Sequence, residues 1–278
     1  MKRDRIWFVP VGGLANRMRA IDSAVALSRQ CNSTLHIVWF KDQGLNCRFD
    51  QLFAPFELPG VTVSEASGPD YLLYDRPRRK NLFIPRLFQQ PIFDRRLYEK
   101  KILQCLRQQF DFEEWARGHK VYIASFSYFY KLHNENERFA IFKPQPLLQQ
   151  EIEARMAQFG PHTIGVHIRR TDHTIAIAQS PTYLFVNRMQ EEIDRHADTK
   201  FYLATDSEED KALISARFGD RVLYSPHRAN RNSIEGMREA LIELYLLSHT
   251  NQILGSAQSS YSETAAQIGH IPYELLKK

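Results

Sequence analysis

The chain has 278 residues, of which 43% are hydrophobic, 12% aromatic and 25% charged, with a formal net charge of +5. That composition excludes a largely disordered or fibrous chain, and the length predicts two lobes rather than one core. No stretch approaches the roughly 20 apolar residues of a membrane-spanning helix, and "MKRDRIWFVPVGG" lacks the apolar core of a secretory leader, so a cytoplasmic protein is expected.

Residues 5–11 read as a buried strand, which Gly12 and Gly13 break before Leu14, Met18, Ile21 and Val25 recur at helical spacing. "TLHIVWF" then supplies the second strand of a β-α-β unit. From 41 to 118 the pattern is irregular, with prolines at 55, 59, 69, 77, 85 and 91, and few elements are predicted. "KVYIASFSYF" restores a strand, and "FKPQPLLQQ" marks the boundary between an N-terminal lobe, 1–145, and a C-terminal lobe, 146–278. Beyond it, the strands "HTIGVHI", "KFYLAT", "RVLYS" and "NQILGS" alternate with the helices "YLFVNRMQEEIDRHA" and "SEEDKALISARFG", a helix over 235–248, and "SSYSETAAQIG". Such alternation predicts a parallel, right-handed, doubly wound sheet. The cysteines, Cys31, Cys47 and Cys105, match neither a disulfide framework nor a zinc knuckle and read as buried thiols.

In a doubly wound sheet the ligand crevice lies outside the carboxyl ends of the strands. Arg169, Arg170 and Asp172 follow "IGVHI", Asp206 and Ser207 follow "FYLAT", and Ser256, Ser259 and Ser260 lie at or after the end of "QILGS". The small residues of "SAQSSYSETAA" permit close backbone approach, and the amides opening the next helix suit a phosphate. The alternative is simple capping by Ser259 or Ser260 with Glu263 in a capping box. Arg169 offers a permanently charged planar fork suited to a diphosphate, against the alternative of an arginine paired internally with Asp172. Ser207 with Glu208, Glu209 and Asp210 reads as a helix start, which leaves Asp206 available to the crevice. At the first glycine turn, Gly13 and Asn16 either admit a ligand to the backbone or merely make a tight turn.

Taken in order, "VGGLANRMRAI", "IGVHIRRTD", "FYLATDS" and "GSAQSSYSETAA" resemble the motifs of the fucosyltransferases that make α1,2-, α1,6- and protein O-linked fucose. The matches run from Val11 to Ala266 and touch both lobes. The resemblance implies an α/β, GT-B-like fold: two Rossmann-like lobes whose parallel sheets face a central cleft, with GDP-fucose held mainly by the second. It also implies an inverting, metal-independent transfer of fucose to a hydroxyl of a glycan or lipid-linked saccharide, with no cofactor beyond the donor. No DxD motif occurs. Carried over by motif, Arg169 holds the β-phosphate, His167 lies beside the guanosine, and Ser259, Ser260 and Tyr261 form the phosphate-gripping turn. Glu243 matches an acidic residue that reads guanine in relatives, where aspartate is usual. Gly13, Asn16, Arg170 and Asp206 complete the expected donor-binding set. Asp172 is the first candidate for the base, with Asp42 second, and Arg170 positions Asp172 or supports the fold.

Residues 41–118 resemble nothing known and are where the acceptor should be chosen. A compact bacterial enzyme of polysaccharide biosynthesis is expected. The basic run "DRPRRKN", with Arg95, Arg96, Lys100 and Lys101, reads either as a solvated face or as a contact with anionic membrane beside a membrane-bound acceptor. No recognition motif accompanies this charge, so nucleic acid is not expected. A different nucleotide sugar as donor and a catalytically inactive relative remain the competing readings.

Overall fold

A computed structural model of the chain describes residues 5–74, 84–131, 135–170 and 174–278. They divide into two compact units, 1–143 and 144–278.

The first unit is built on a parallel sheet ordered β3-β2-β1-β5-β4. Its strands are β1 (Arg5–Pro10), β2 (Thr34–Trp39), β3 (Val61–Glu65), β4 (Arg95–Leu97) and β5 (Lys120–Ser125). The connection from β1 to β2 is helix α1 (Leu14–Gln30), which is buried almost all round because alanines at 15, 20, 24 and 26 let it lie close to its neighbours. The irregular stretch resolves into β3, β4 and the short helices α2 (Gly68–Leu73), α3 (Ile84–Gln89), α4 (Glu99–Arg107) and α5 (Phe112–Ala116). Three of the prolines that blur the sequence pattern mark helix ends. Pro69 lies in the first turn of α2, Pro85 is the second residue of α3, and Pro91 follows its end. The loop after β2 is pinned by edge-to-face and tilted aromatic contacts running from Trp39 through Phe49, Phe53 and Phe56 to Phe142.

The second unit opens with α6 (Pro146–Met156) and is built on a parallel sheet ordered β10-β9-β6-β7-β8. The strands are β6 (Thr163–Ile168), β7 (Lys200–Thr205), β8 (Val222–Tyr224), β9 (Gln252–Ser256) and β10 (Tyr273–Leu276). Helices α7 (Thr174–Gln179), α8 (Thr182–Arg195), α9 (Glu208–Phe218), α10 (Ile234–Ser248) and α11 (Ser260–Gly269) connect them. Every residue of β6 is buried, as a central parallel strand covered on both faces requires. Ile164, Val166 and Ile168 join Phe185, Met189, Phe201 and Leu203 in the core.

Strand order reverses at β6: the chain adds β7 and β8 on one side, then returns to place β9 and β10 on the other. The crevice outside the carboxyl ends of β6 and β9 is therefore the topological switch point of this sheet. No helix among the described residues is long and apolar enough to cross a membrane.

Candidate functional site: a polar cluster at the switch point

The ends of β6, β7 and β9 are sewn together by side chains that the strands deliver to one level. Ser256, the last residue of β9, donates its hydroxyl to the His167 carbonyl at 3.2 Å and accepts from the Arg169 amide at 3.0 Å. Asp206, one step past β7, takes the Arg170 amide on Oδ1 at 2.7 Å and pairs through Oδ2 with Nη1 of Arg169 at 3.0 Å. The Arg169 side chain keeps 27% of its surface exposed, so its positive charge is anchored at the mouth of the crevice.

Arg170, expected on the donor, is placed differently. Its Nε pairs with Asp210 at 2.8 Å, Nη2 donates to the Thr182 hydroxyl at 3.0 Å, and Nη1 donates to the Arg169 carbonyl at 2.9 Å. The guanidinium is thereby built into the frame that joins β6, α8 and α9. Ser207 caps α9, accepting from the Asp210 amide at 3.1 Å.

His167 is buried, and burial together with the nearby charge of Arg169 pushes its imidazole down to about 3, with Asp206 opposing. It is therefore neutral at physiological pH. Nδ1 lies 3.3 Å from the Ser259 hydroxyl, and the ring packs 5.0 Å from that of Tyr261.

Ser259 occupies the N-cap position of α11, yet its side chain makes no capping bond. Because the hydroxyl faces His167, the opening amides of α11 at Ser260, Tyr261 and Ser262 have no side-chain cap. The residue before the cap, Gln258, has φ of 54°, the left-handed turn that swings the chain from β9 into the helix. The Tyr261 hydroxyl donates to the Ala240 carbonyl on α10, and burial pushes it well above its usual range. Only the backbone of Tyr261 is thus placed to meet an anion.

Glu243 is 7% exposed, and no described residue hydrogen-bonds its carboxylate. Burial first, then the neighbouring charge of Glu239, raises it to about 8, with Lys211 and Arg155 opposing. Glu239 lies one turn away and is held by Arg155 and by the Ser225 hydroxyl. Sequence reading missed Arg155 and Glu239. Their signal, two charges on separate helices 84 residues apart, becomes visible only once α6 packs on α10.

In the first unit, Gly12, Gly13 and Asn16 stand at the carboxyl end of β1, the switch point between β1 and β5. Gly12 adopts φ of +86°, the left-handed region that favours glycine, and a Cβ there would press on Asn16 Nδ2 at 3.3 Å. Arg17, wholly buried, fixes this turn. Nε donates to the Gly12 carbonyl at 2.9 Å, Nη1 donates to that of Phe40 at 2.6 Å, and Nη2 pairs with Asp42 at 2.9 Å. Asp42, the second candidate for the base, also accepts the amides of Gly44 and Leu45 at 2.7 and 3.2 Å. This binds it into the turn as a structural carboxylate. Asp172 and the basic run 75–81 lie outside the described residues.

The two parallel sheets with switch-point crevices define a GT-B-like fold of two Rossmann-like units. No protein-family model and no curated protein matches the sequence. Solved structures do: the fold is that of the fucosyltransferases. Fucosyltransferase NodZ from Bradyrhizobium superposes with a TM-score of 0.65 at 20% identity, covering 95% of this chain and 93% of its own. NodZ α-1,6-fucosyltransferase soaked with GDP-fucose gives 0.64 at 21% identity, over 96% of this chain and 93% of its own. A variant of Arabidopsis thaliana FUT1 in complex with GDP gives 0.67 at 15% identity, over 99% and 70%.

Proposed function

We propose that this chain is an inverting, metal-independent fucosyltransferase that moves L-fucose from GDP-β-L-fucose to a hydroxyl of a glycan or lipid-linked saccharide. The observation that carries this reading is the placement of Arg169 at the β6–β9 switch point, its amide bonded to Ser256 three residues before the N-cap position of α11, whose serine makes no capping bond. It occurs in a fold whose solved members include complexes with GDP and GDP-fucose.

The β-phosphate gains negative charge as the bond to the sugar breaks. Arg169 and the opening amides of α11 stabilise that charge, an electrostatic contribution that is commonly the largest in catalysis. These groups supply the positive potential for which other transferases use a divalent ion. Glu243, a buried acceptor without a donor, suits the adjacent N–H groups of guanine, and neutral His167 packs beside the nucleoside. The acceptor hydroxyl attacks the anomeric carbon opposite the departing GDP, inverting β to α, and Asp172 is the proposed base. A dissociative reaction of this kind needs only a weak one.

The test is to incubate the protein with GDP-fucose and a glycan panel and follow GDP release, alongside thermal shifts with GDP and UDP. Stabilisation by GDP and acceptor-dependent release are expected. Selective stabilisation by UDP would overturn the guanine assignment.

A further inference from the structure

The first unit carries a cluster of cations that the nucleotide reading does not use. Arg86 of α3, Arg96 of β4 and Lys101 of α4 line a single cavity of about 600 Å³, together with Leu87, Gln90 and Tyr98. No carboxylate is among these residues, and no described carboxylate forms an ion pair with any of the cations.

Arg96 is fixed by its surroundings. Nη1 of Arg96 closes the end of α3, donating to the carbonyls of Gln89, Gln90 and Phe93 at 3.3, 3.2 and 2.9 Å. Arg86 lies over Tyr98, its Cζ 5.0 Å from the ring centroid, a cation–π contact that leaves its N–H groups without a described carboxylate partner. Tyr98 is in turn held by Gln89, a fully buried side chain that accepts from its hydroxyl at 2.6 Å and donates to the Leu73 carbonyl at 3.0 Å. A concave surface lined by one sign of charge concentrates counter-ions, and guanidinium forks match phosphate oxygens in pairs. Beside it, Leu87 and Phe88 are 68% and 45% exposed, an apolar shoulder next to the cationic floor.

We propose that this cavity binds the phosphate group of a phosphorylated ligand, the chemistry shared by a soluble sugar phosphate and an anionic lipid headgroup. The proposal is independent of the nucleotide reading and concerns the other unit.

The experiment measures binding of inorganic pyrophosphate, glucose 1-phosphate and vesicles of phosphatidylglycerol or phosphatidylcholine to the whole chain, with the response to GDP measured separately. Failure of GDP itself to bind would count against the proposed function and leave this comparison readable. Binding of at least one phosphate probe is expected, weakened at least tenfold in Arg86→Glu/Lys101→Glu with melting temperature and GDP response unchanged. If charge reversal prevents folding, Arg86→Gln/Lys101→Gln carries the same expectation. Lys277→Glu/Lys278→Glu makes the same change of charge in the second unit and is expected to leave binding intact. Response to soluble phosphates assigns a sugar phosphate, and response to phosphatidylglycerol but not phosphatidylcholine vesicles assigns a headgroup. Absence of binding to every probe, persistence in the cavity variants, or equal loss in the control would overturn the site.

Discussion

Arg169 and Asp206 form an ion pair at 3.0 Å in which the same carboxylate also holds the amide of Arg170. Asp206 therefore aims the guanidinium and fixes the backbone beneath it. Arg169→Ala is expected to lower turnover at least tenfold, about 1.4 kcal/mol, while leaving the melting temperature close to wild type. Asp206→Ala is expected to lower both, with a stability loss of about 1.5–3 kcal/mol for hydrogen bonds to a charged group. Steady-state kinetics beside thermal denaturation separates the two, and a folded Arg169→Ala enzyme of normal turnover would refute the assignment.

If Glu243 reads the guanine as proposed, its buried carboxyl makes nucleotide binding depend on pH. Raised from 4.5 to about 8, it is protonated at neutral pH, and guanine donors require the ionised form. GDP affinity is expected to rise by up to roughly tenfold per unit between pH 6 and 8 and then level off. In Glu243→Gln the rise disappears and affinity falls. Calorimetric titrations at several pH values check this; a wild-type curve no steeper than that of the variant would exclude the role.

Stability should move oppositely at this position. The folded state holds the Glu243 proton between 4.5 and about 8 where the unfolded chain has lost it, so this contribution is present below pH 4.5 and lost as pH rises through 8. Glu243→Gln is thus expected to be more stable than wild type at pH 8.5, by about 1–3 kcal/mol for a buried group left unsatisfied. Denaturant titration at pH 5 should show a smaller difference.

His167 has the reverse linkage. With its imidazole lowered from 6.5 to about 3, the unfolded chain takes up a proton first, so stability present above pH 6.5 is lost as pH falls toward 3. The imidazole resonances of the folded protein should keep their neutral positions at pH 5, and titration near 6.5 would contradict the buried geometry.

Arg17 serves the glycine turn through carbonyls as well as charge. Arg17→Ala is expected to cost about 3–5 kcal/mol, as when one partner of a buried pair is removed. Arg17→Lys should recover little, since an ammonium cannot reach the Gly12 and Phe40 carbonyls and Asp42 together. Melting temperatures of both variants settle the comparison.

The second unit was legible in the sequence because its strands are apolar runs separated by helices of ordinary length. β6 and β9 gave the crevice, and the polar residues following them gave its lining. β10 escaped notice because "YELL" is only four residues long and shows no alternation, with three residues between it and the end of a helix. β4 was hidden by its composition, a three-residue "RRL" whose arginines hold the carbonyls of Gln89 in α3 and Trp115 in α5. The roles of Arg170 and Asp42 could not be read, because their partners, Asp210 and Thr182 for one and Arg17 for the other, lie at spacings set by tertiary packing. Capping by Ser259, the alternative reading of this turn, does not occur for a nearby reason: the imidazole of His167 lies opposite its hydroxyl.

That diverted hydroxyl has a consequence for the life of the protein. A helix start without its cap forgoes about 1 kcal/mol, and an anion arriving there restores what is missing. The molecule should be most fragile when starved of its donor and toughen as the donor accumulates. Its survival against proteases would then track supply, with no dedicated sensor needed.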